Sequence, residues 1–364
     1  MPSEASPAPQ DGACEDERIC VIVAAMNAER AIARAIRSAL REPEVAEVVV
    51  VDDASTDATA AAAQSADDAS GRLEIIRLPA NRGPAAARNL ALECSTAPLV
   101  AVLDADDVLL EGRFAALLAE PRDWDAIADN VVFVSERDGI GKDLPAAFAW
   151  AEKGAFLSPE RFISGNIARR GRPRGELGFL KSLVSRDFLE RNRLAYNENL
   201  RLGEDFELYT RMLLAGARFK LSGLCGYVAE ERASSLSAQH RPEDLEALMR
   251  ADDALLLREA DPAAKAALRR HRAHVAARWH HRALLDRRRD VGIVGALSGA
   301  ALRPRLLLDG LAGVIRDKAA KVLPSASHQN STPRFLVSDG SAAERAILAR
   351  LAGAPGTDLE GRKF

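Results

Sequence analysis

Three carboxylates close one apolar run of the sequence. The segment VAVLDADDVLL, residues 100–110, places Asp104, Asp106 and Asp107 within four positions. Ionised carboxylates at this spacing repel one another, which raises at least one pKa unless a cation lies among them. Alternate side chains of an extended segment share a face, so Asp104 and Asp106 can offer two hard oxygen ligands to Mg²⁺ or Mn²⁺. The segment predicts a divalent-cation site; the alternative, best suited to Asp107, is a cap for a helix that begins near Glu111.

Polar side chains also follow three earlier apolar runs. The four runs are predicted to be strands, the first two of them buried, namely ICVIV (19–23), VVVV (48–51), LEIIRL (73–78) and LVAVL (99–103). The polar residues that follow them are, in order, Asn27, Asp52 and Asp53, Asn81 to Gly83, and Asp104 to Asp107. One such turn can be a simple helix cap, but four strands that end in acids, amides and an arginine indicate a ligand site.

Helical patterns separate these strands. Ile32, Ile36 and Leu40 recur at four-residue spacing, and AAARNLALEC follows a break at NRGP. STDATAAAAQSA is predicted to be an alanine-rich helix with Ser55 or Thr56 as its N-cap. Continuous apolar strands that alternate with helices predict a parallel sheet covered on both faces. In such sheets a ligand binds beyond the carboxyl ends of the strands, where the polar residues lie.

Composition narrows the classes of protein. The chain of 364 residues is 48% apolar, which supports a large core, and its net charge of −3 argues against a dedicated nucleic-acid-binding protein. Its four cysteines form no CxxC pair, which suits a reducing compartment and predicts no thiolate metal site. Residues 1–17 are acidic and contain several prolines, which predicts a disordered leader rather than a signal peptide. No apolar run approaches the ~20 residues that span a bilayer, so we expect a soluble, cytoplasmic chain.

The composition changes at about residue 242. Residues 242–323 contain two predicted helices, DLEALMRADDALLLREA and KAALRRHRAHVAARWHHRALLDRRRD, of which the second is strongly basic. A basic helix can lie on anionic lipid, and a solvated helix pair packed on the preceding domain is an equal alternative. Neighbouring arginines disfavour a bound cation among the histidines of this stretch, which are His271, His274, His280 and His281. Residues 324–364 are polar, which predicts a loosely ordered tail.

Five motifs together resemble a known family. CVIVAAMN, VVVVDDASTDAT, NRGPAAARN and VLDADD occur in this order, and LRLGEDFELYTRMLLAG (200–216) follows. The set is similar to the family-2 inverting glycosyltransferases with the GT-A fold, over residues 18–241. The resemblance implies an α/β fold, with a Rossmann-like, mostly parallel sheet flanked by helices and residues 242–323 as a C-terminal helical extension. Within the family, the match is most similar to the glucosyltransferases that assemble the rhizobial exopolysaccharide succinoglycan.

The resemblance implies a UDP-sugar donor and assigns residues to it. Those implied to hold the uracil, the ribose and the rest of the nucleotide are Ala24, Met26, Asn27, either Asp52 or Asp53, Asn81, Gly83 and Arg88. Asp104 and Asp106 form a D-x-D pair, in which Asp104 also faces the donor and Asp106 is the more direct ligand of Mg²⁺ or Mn²⁺. Arg232 and His240 belong to a loop that can close over the diphosphate or the metal, although a lone loop histidine is more often solvated.

The same resemblance assigns the chemistry. Asp205 is implied to be the general base, and Glu204 to orient its loop or contact the acceptor. A sugar hydroxyl is a weak nucleophile, so a carboxylate must take its proton during attack on the anomeric carbon, while a divalent cation neutralises the leaving UDP. Taken alone, GEDFELYTRML has another interpretation, in which Glu204 and Asp205 are ordinary first-turn acids of an amphipathic helix.

Two features depart from the family pattern. The first strand runs into AAMN rather than a proline and an aromatic residue, so Met26 stands near the expected base-stacking position. The Gln-x-x-Arg-Trp signature of processive synthases is missing, and VAARW (275–279) has only its last two residues. The second departure favours a single-addition enzyme.

The sequence thus predicts a metal-assisted inverting glycosyltransferase. By resemblance it moves glucose from UDP-glucose to a lipid-linked oligosaccharide in exopolysaccharide assembly, at the cytoplasmic face of the membrane. Two alternatives stay open. DADDVL also fits the D-x-D-x-[TV] pattern of haloacid-dehalogenase-type phosphatases, but that motif normally follows the first strand of its domain and would leave Asp52, Asn81 and Asp205 unexplained. The other is a non-catalytic sugar-nucleotide-binding scaffold subunit, which has no need of Asp205 as a base.

Overall fold

In the computed structural model, eleven strands of the described residues form one sheet that is flanked by helices. The structure describes residues 17–135, 146–149, 154–168, 175–231, 241–259, 261–301, 308–310, 312–315, 333–338 and 348. The strands are β1 (Ile19–Ala25), β2 (Val45–Asp52), β3 (Leu73–Arg77), β4 (Leu99–Val102), β5 (Val108–Leu109), β6 (Ala126–Ser135), β7 (Phe148–Ala149), β8 (Ala155–Phe156), β9 (Leu183–Ser185), β10 (Phe219–Glu231) and β11 (Arg334–Phe335). The helices are α1 (Ile32–Leu40), α2 (Thr59–Gln64), α3 (Pro84–Glu93), α4 (Arg113–Leu118), α5 (Pro159–Gly165), α6 (Arg186–Arg191), α7 (Glu204–Leu214), α8 (Pro242–Arg258) and α9 (Pro262–Ala301), which is interrupted by non-helical backbone at Gly292.

The sheet is parallel in its first half and mixed in its second. Its main path runs β3-β2-β1-β4-β9-β6-β10-β5, and β1 to β4 pair only in parallel with one another. The short strand β9 lies antiparallel between β4 and β6, while β6 and β10 are parallel. The predicted α/β fold, a mostly parallel sheet flanked by helices, is confirmed.

The strands β1, β2 and β4 owe their buried position to continuous apolar sequence, whereas β3 at the end of the sheet is only partly buried, with Glu74 and Arg77 exposed. All residues from Ile19 to Val23 are 0% exposed, and Val48 to Val51 are at most 2% exposed. Strands buried on both faces need helices on both sides, which is the arrangement that parallel crossovers produce. The carboxyl ends of β1 to β4 therefore meet at one edge, and their polar loops lie together there.

Two predicted helix caps are wrong. Helix α2 begins at Thr59 with Ala58 as its N-cap, so neither Ser55 nor Thr56 caps it. Both residues bond to Asn27 instead: Ser55 Oγ accepts its N–H at 2.9 Å, and the Thr56 N–H donates to its Oδ1 at 2.9 Å. Asp107 does not cap a helix either. Helix α4 begins at Arg113, and the buried Glu42 carboxylate accepts the N–H groups that flank this residue, at 2.9 and 3.1 Å.

Helices α8 and α9 pack against each other, and α9 also packs against α5. The ring of His271 on α9 stacks on Phe206 of α7, with the ring centroids 4.1 Å apart, and its Nδ1 lies 2.9 Å from Asp252 of α8. In the described part of the chain, no group of three or more His, Cys, Asp or Glu side chains is arranged for a metal. Nor is any described helix long and apolar enough to cross a membrane. The domain division at residues 241 and 242 stays a prediction, and the predicted leader and most of the tail lie outside the described residues.

Candidate active site

The predicted site residues form two groups at the carboxyl edge of β1 to β4. One group surrounds Asp52 and Asp53 at the end of β2, and the other surrounds Asp104 after β4 and the start of α7. Two predicted residues, Arg232 and His240, lie outside the described residues. Ala24 is a half-buried residue of β1, one position before the strand ends.

Asp53 fixes the turn before α3. Its two carboxylate oxygens accept the main-chain N–H groups of Arg82 at 2.6 Å and Gly83 at 2.8 Å. Gly83 has a φ of 91°, a conformation that glycine adopts without a Cβ penalty, and it directly precedes the first residue of α3. Both oxygens of Asp53 are therefore engaged by the protein itself.

Asp52 differs from its neighbour. Its Oδ1 accepts the N–H of Ser55 at 2.9 Å, whereas its buried Oδ2 has no hydrogen-bond partner. Arg77 Nε lies 3.5 Å from this oxygen. A cleft of about 400 Å³ opens beside them and is lined by Ala54, Ser55, Arg77, Leu78 and Pro79. A buried carboxylate oxygen without a donor is a candidate for recognition of a ligand N–H group.

The loop after β1 contacts the loops after β2 and β3. Asn27 adopts a positive φ of 51°, and its Oδ1 accepts the N–H of Thr56 at 2.9 Å. Met26 is 49% exposed, and its sulfur lies 2.8 Å from Nδ2 of Asn81. Asn81 Oδ1 in turn accepts from Arg201 Nη2. The residue at the expected base-stacking position is thus an exposed thioether beside an amide.

Arg88 and Lys181 connect the second group. Arg88 Nη2 donates to Asp104 Oδ1 at 2.9 Å, and its Nη1 lies 3.3 Å from Asp205 Oδ1. Lys181 Nζ lies 2.8 Å from Asp104 Oδ2 and 2.9 Å from Asp205 Oδ2. Each aspartate therefore presents one oxygen to the guanidinium and the other to the ammonium, and the four side chains form a closed ring of alternating charge.

Glu204 adds a third carboxylate to this cluster. Its Oε1 lies 2.6 Å from Arg88 Nη1. Burial raises the pKa of Glu204, and Asp205 adds to the increase while Arg88 opposes it. Burial alone would also raise the pKa of Asp104, but Lys181 and Arg88 outweigh it and lower that pKa to about 2. Asp104 is thus an ionised carboxylate, whereas the environment of Glu204 favours a proton.

Strand β10 fixes the turn that carries the D-x-D pair. Tyr227 Oη accepts the main-chain N–H of Asp104 at 3.1 Å and donates to Asp107 Oδ2 at 2.7 Å. The N–H of Glu230 donates to the other oxygen of Asp107 at 3.0 Å. Burial and the nearby Asp106 and Asp104 raise the pKa of Asp107. Asp107 therefore anchors the turn to β10.

Asp104 and Asp106 suit a divalent cation by their donor chemistry. Both are partly exposed, and carboxylate oxygens are the ligands that Mg²⁺ and Mn²⁺ prefer. Since the described residues contain no larger acidic or histidine group for a metal, such an ion would take its other ligands from water and a substrate phosphate, as Mg²⁺ commonly does. The residues therefore fit the implied metal, with Lys181 and Arg88 as competing cations on Asp104.

The structure brings Arg88, Asp104, Glu204 and Asp205 together. This agrees with the expectation that the motifs carrying them form one site. Sequence reasoning missed Lys181, which enters from the loop before β9. The segment KSLVS contained a signal, because it places a lysine directly before a short apolar run. A lysine that is buried with such a run is rarely without an acidic partner, so carboxylates could be expected nearby.

Similarity to known proteins identifies the class of enzyme to which this fold and this acidic cluster belong. The family model for glycosyl transferase family 2 matches residues 20–171. One relative is 44% identical over 316 residues, which span 85% of this chain and 90% of the relative. The chain belongs to glycosyl transferase family 2, and the predicted family and enzyme class are confirmed.

That relative is the succinoglycan biosynthesis protein ExoU of Rhizobium meliloti (strain 1021). The succinoglycan biosynthesis protein ExoO of the same strain is 34% identical over 326 residues, which span 87% of this chain and 90% of ExoO. Among solved structures, TarS 1–349 of S. aureus in complex with UDP-GlcNAc is 19% identical, with a TM-score of 0.53 over 89% of this chain and 98% of TarS 1–349. At that identity the likeness concerns the fold, and it agrees with the predicted GT-A architecture.

Proposed function

We propose that the chain is an inverting glycosyltransferase that moves glucose from UDP-glucose to a lipid-linked oligosaccharide in exopolysaccharide assembly of the succinoglycan type. One observation carries the proposal: Asp104 and Asp205 lie within 2.9 Å of the same ammonium nitrogen, that of Lys181. Asp104, which could act on the donor, and Asp205, which could take the proton of the acceptor hydroxyl, thus belong to one cluster. The names of the two relatives support the polysaccharide, and the resemblance supports the sugar.

The transfer that we propose is a single displacement. A hydroxyl oxygen of the acceptor forms a bond to the anomeric carbon while Asp205 takes its proton. The bond between the anomeric carbon and the β-phosphate oxygen breaks, and UDP leaves with the electron pair. Because attack and departure occur on opposite faces of the sugar, the configuration inverts. Glu204, at the first position of α7, is assigned to orient this segment or contact the acceptor.

Asp104 and Asp106 would hold Mg²⁺ or Mn²⁺ with the diphosphate of the donor. Such a cation, when bound, stabilises the negative charge that develops on UDP. Tyr227 and Asp107 hold the turn that presents both carboxylates, since they engage its first and last residues. Arg34 adds a hydrogen bond from Nη2 to the main-chain oxygen of Asp106 at 3.0 Å.

We assign recognition of the uracil to Asp52 rather than Asp53. Asp52 Oδ2 has no hydrogen-bond partner and could accept the N–H of a base, whereas both oxygens of Asp53 are engaged by main-chain N–H groups. Met26 and Asn81 contact each other in the loops after β1 and β3, and Met26 presents an exposed apolar surface on which a base could pack. This assignment supports a UDP-sugar as the donor.

We also propose that α9 contacts an anionic membrane surface, where a lipid-linked acceptor would lie. Arg287, Arg288 and Arg289 are consecutive and exposed near the distal part of this helix. Cationic side chains of this kind each contribute about 1 kcal/mol near anionic lipid. Vesicles with and without phosphatidylserine test the idea by co-sedimentation. The wild type is expected to bind the anionic vesicles, and a variant with glutamate at these three positions to lose binding; equal binding by both proteins contradicts the proposal.

Release of UDP from a panel of UDP-sugars tests the transferase. The wild type, Asp106→Ala and Asp205→Asn are compared with Mn²⁺, with Mg²⁺ and with a chelator, first without an acceptor and then with a lipid-linked oligosaccharide fraction. We expect turnover of UDP-glucose that needs the metal and is abolished in Asp106→Ala. With acceptor, Asp205→Asn should lose about 10²- to 10⁴-fold in transfer.

Three results would separate this proposal from its alternatives. Turnover of another UDP-sugar in preference to UDP-glucose contradicts the donor assignment alone. Binding of UDP without any turnover, with or without acceptor, favours a sugar-nucleotide-binding scaffold. Unchanged transfer by Asp205→Asn overturns the assignment of the general base. Membership of a glycosyltransferase family already disfavours the phosphatase interpretation of DADDVL.

A further inference from the structure

Lys181 is the least expected member of the cluster. Its side chain is 6% exposed, and two of its three N–H groups face Asp104 Oδ2 and Asp205 Oδ2. A buried ammonium is unfavourable unless it is paired, so the two carboxylates explain how this lysine is tolerated. They do not explain why it lies between these two particular acids.

The main chain of Lys181 is held by a second ion pair, which contacts neither Asp104 nor Asp205. Arg113 Nη2 donates to the carbonyl oxygen of Lys181, and the same guanidinium pairs with Asp129 at 2.7 Å. Both side chains of that pair are 1% exposed. The scaffold therefore presents the lysine to the two acids.

The ring of alternating charge has a consequence for each acid. With Arg88 and Lys181 in place, both oxygens of Asp104 already lie in ion pairs, so a divalent cation at Asp104 must compete with one of them. Lys181 is the weaker competitor, because its ammonium is a single point charge, whereas Arg88 is anchored by three carboxylates. Asp205 in turn loses one of its two cationic contacts whenever the lysine is absent.

We propose that Lys181 is a positioning residue, an internal counter-cation that holds Asp205 at a fixed place relative to Asp104 and competes with the divalent cation for Asp104 Oδ2. This role rests on the proposed transferase function. Removal of the lysine then has two opposite effects. Mn²⁺ binds more tightly because one oxygen of Asp104 is released, and transfer becomes slower because Asp205 is no longer held in place.

The test compares three variants with the wild type. Lys181→Met removes the charge at similar length, and Lys181→Arg retains a cation. Lys220→Met is the matched control, because Lys220 is also a largely buried lysine that pairs with an acid, Glu120 at 2.6 Å, but it contacts neither Asp104 nor Asp205. Binding of Mn²⁺ without nucleotide is followed through the electron paramagnetic resonance signal of the free ion. Initial rates of UDP release give kcat and the KM for the donor.

For Lys181→Met we expect Mn²⁺ to bind about tenfold more tightly or better, since a unit charge close to the ion is removed. We expect kcat to fall about 10²-fold, the cost of a misplaced catalytic group, with the donor KM changed less than about threefold. Lys181→Arg should restore most of kcat, and Lys220→Met should match the wild type in both measurements. In the double variant Lys181→Met/Asp104→Ala the tighter Mn²⁺ binding should disappear.

Unchanged or weaker Mn²⁺ binding by Lys181→Met overturns the proposal, and so does an unchanged kcat. A donor KM that rises as much as kcat falls also overturns it, because the lysine would then be a donor-binding residue. If Lys181→Met does not fold by circular dichroism, Lys181→Gln is measured against the same expectations. If the wild type releases UDP from no donor, the proposed function fails, and the Mn²⁺ measurement still decides whether the lysine competes for Asp104.

Discussion

Two buried arginines, Arg88 and Arg113, organise two different kinds of ion cluster. Arg113 pairs with one carboxylate, Asp129, and the N–H of Gly226 donates to that carboxylate at 2.6 Å. Arg88 reaches three carboxylates, and one of them, Asp104, has a side chain that is 34% exposed. The first cluster is closed to solvent, and its further contacts are to main-chain groups of Lys181 and Gly226, whereas the second is open to solvent at Asp104.

Charge balance explains the difference. Arg113 and Asp129 match one cation to one anion, and both side chains are shielded from solvent. A Cβ on Gly226 would lie 2.6 Å from Arg113 Cγ, so even a methyl group is excluded there. Around Arg88, two cations face three carboxylates, and burial raises the pKa of Glu204. An excess of carboxylates that solvent can reach leaves a place for a proton or a divalent cation, as the proposed transfer requires.

The largest expected effect on stability is that of breaking the closed pair. Arg113→Met leaves Asp129 buried without a cation, which should lower the free energy of unfolding by about 3–5 kcal/mol. Urea denaturation followed by circular dichroism measures this change. The double variant Arg113→Met/Asp129→Leu should recover much of the loss, because apolar replacement of both partners of a buried ion pair is often neutral. A loss below about 1 kcal/mol for Arg113→Met would show that the pair is not closed as described.

Removal of Arg88 should reduce activity strongly and stability less than removal of Arg113. Arg88→Met leaves Lys181 in contact with Asp104 and Asp205, so we expect a loss of only about 1–3 kcal/mol in the free energy of unfolding. UDP release per folded molecule should fall about 10²-fold or more, since three carboxylates lose their common partner. The comparison between the clusters fails if Arg88→Met costs more stability than Arg113→Met, or if it retains full activity.

The open cluster could be predicted from the sequence only in part. The four strand ends and the D-x-D pair were predicted because long apolar runs alternate with helical patterns, and strand ends of such a sheet meet at one edge. Asp205 was assigned through the motif that carries it. Lys181 was not predicted, because it precedes β9, a strand of three residues with no periodic signal of its own.

The roles of individual polar residues were the least predictable feature. Asp107 and Ser55 were both considered as helix caps, yet each bonds to a group that is distant in sequence, Asp107 to Tyr227 and Ser55 to Asn27. Local propensity describes what a side chain can do for its own segment. It cannot show which distant segment will offer a better partner. Nor can it show that, of two adjacent acids, Asp53 has both oxygens engaged whereas Asp52 has one oxygen without a hydrogen-bond partner.

Those two aspartates repeat the contrast between closed and open groups on a smaller scale. Asp53→Asn replaces one acceptor oxygen by an NH₂ group that faces a main-chain N–H, so it should cost about 1–3 kcal/mol of stability. Asp52→Asn can keep the Ser55 hydrogen bond and should cost less than 1 kcal/mol, but it should weaken UDP binding about tenfold. Calorimetric titration with UDP and thermal unfolding of both variants measure the two effects. A larger loss of UDP affinity in Asp53→Asn than in Asp52→Asn would reverse the assignment.

The smallest expected effect concerns two glutamates that have hydrogen-bond donors but no cation in hydrogen-bonding contact. Glu42 accepts the N–H groups of Gly112 and Phe114 beside Arg113, and burial nevertheless raises its pKa above the ordinary value of 4.5. Burial also acts to raise the pKa of Glu47, but hydrogen bonds from Thr96 outweigh it and lower that pKa. Each glutamate therefore serves as the control for the other.

The two shifts have opposite signs in a pH series of melting temperatures. Folding favours the protonated form of Glu42, so its contribution is fully present below pH 4.5 and is lost as the pH rises through its raised pKa. Folding favours the ionised form of Glu47, so its contribution is present above pH 4.5 and is lost as the pH falls through its lowered pKa. Relative to Glu42→Gln the wild type should become less stable with rising pH, and relative to Glu47→Gln more stable. Equal slopes for the two variants would contradict the opposite directions of the two pKa shifts.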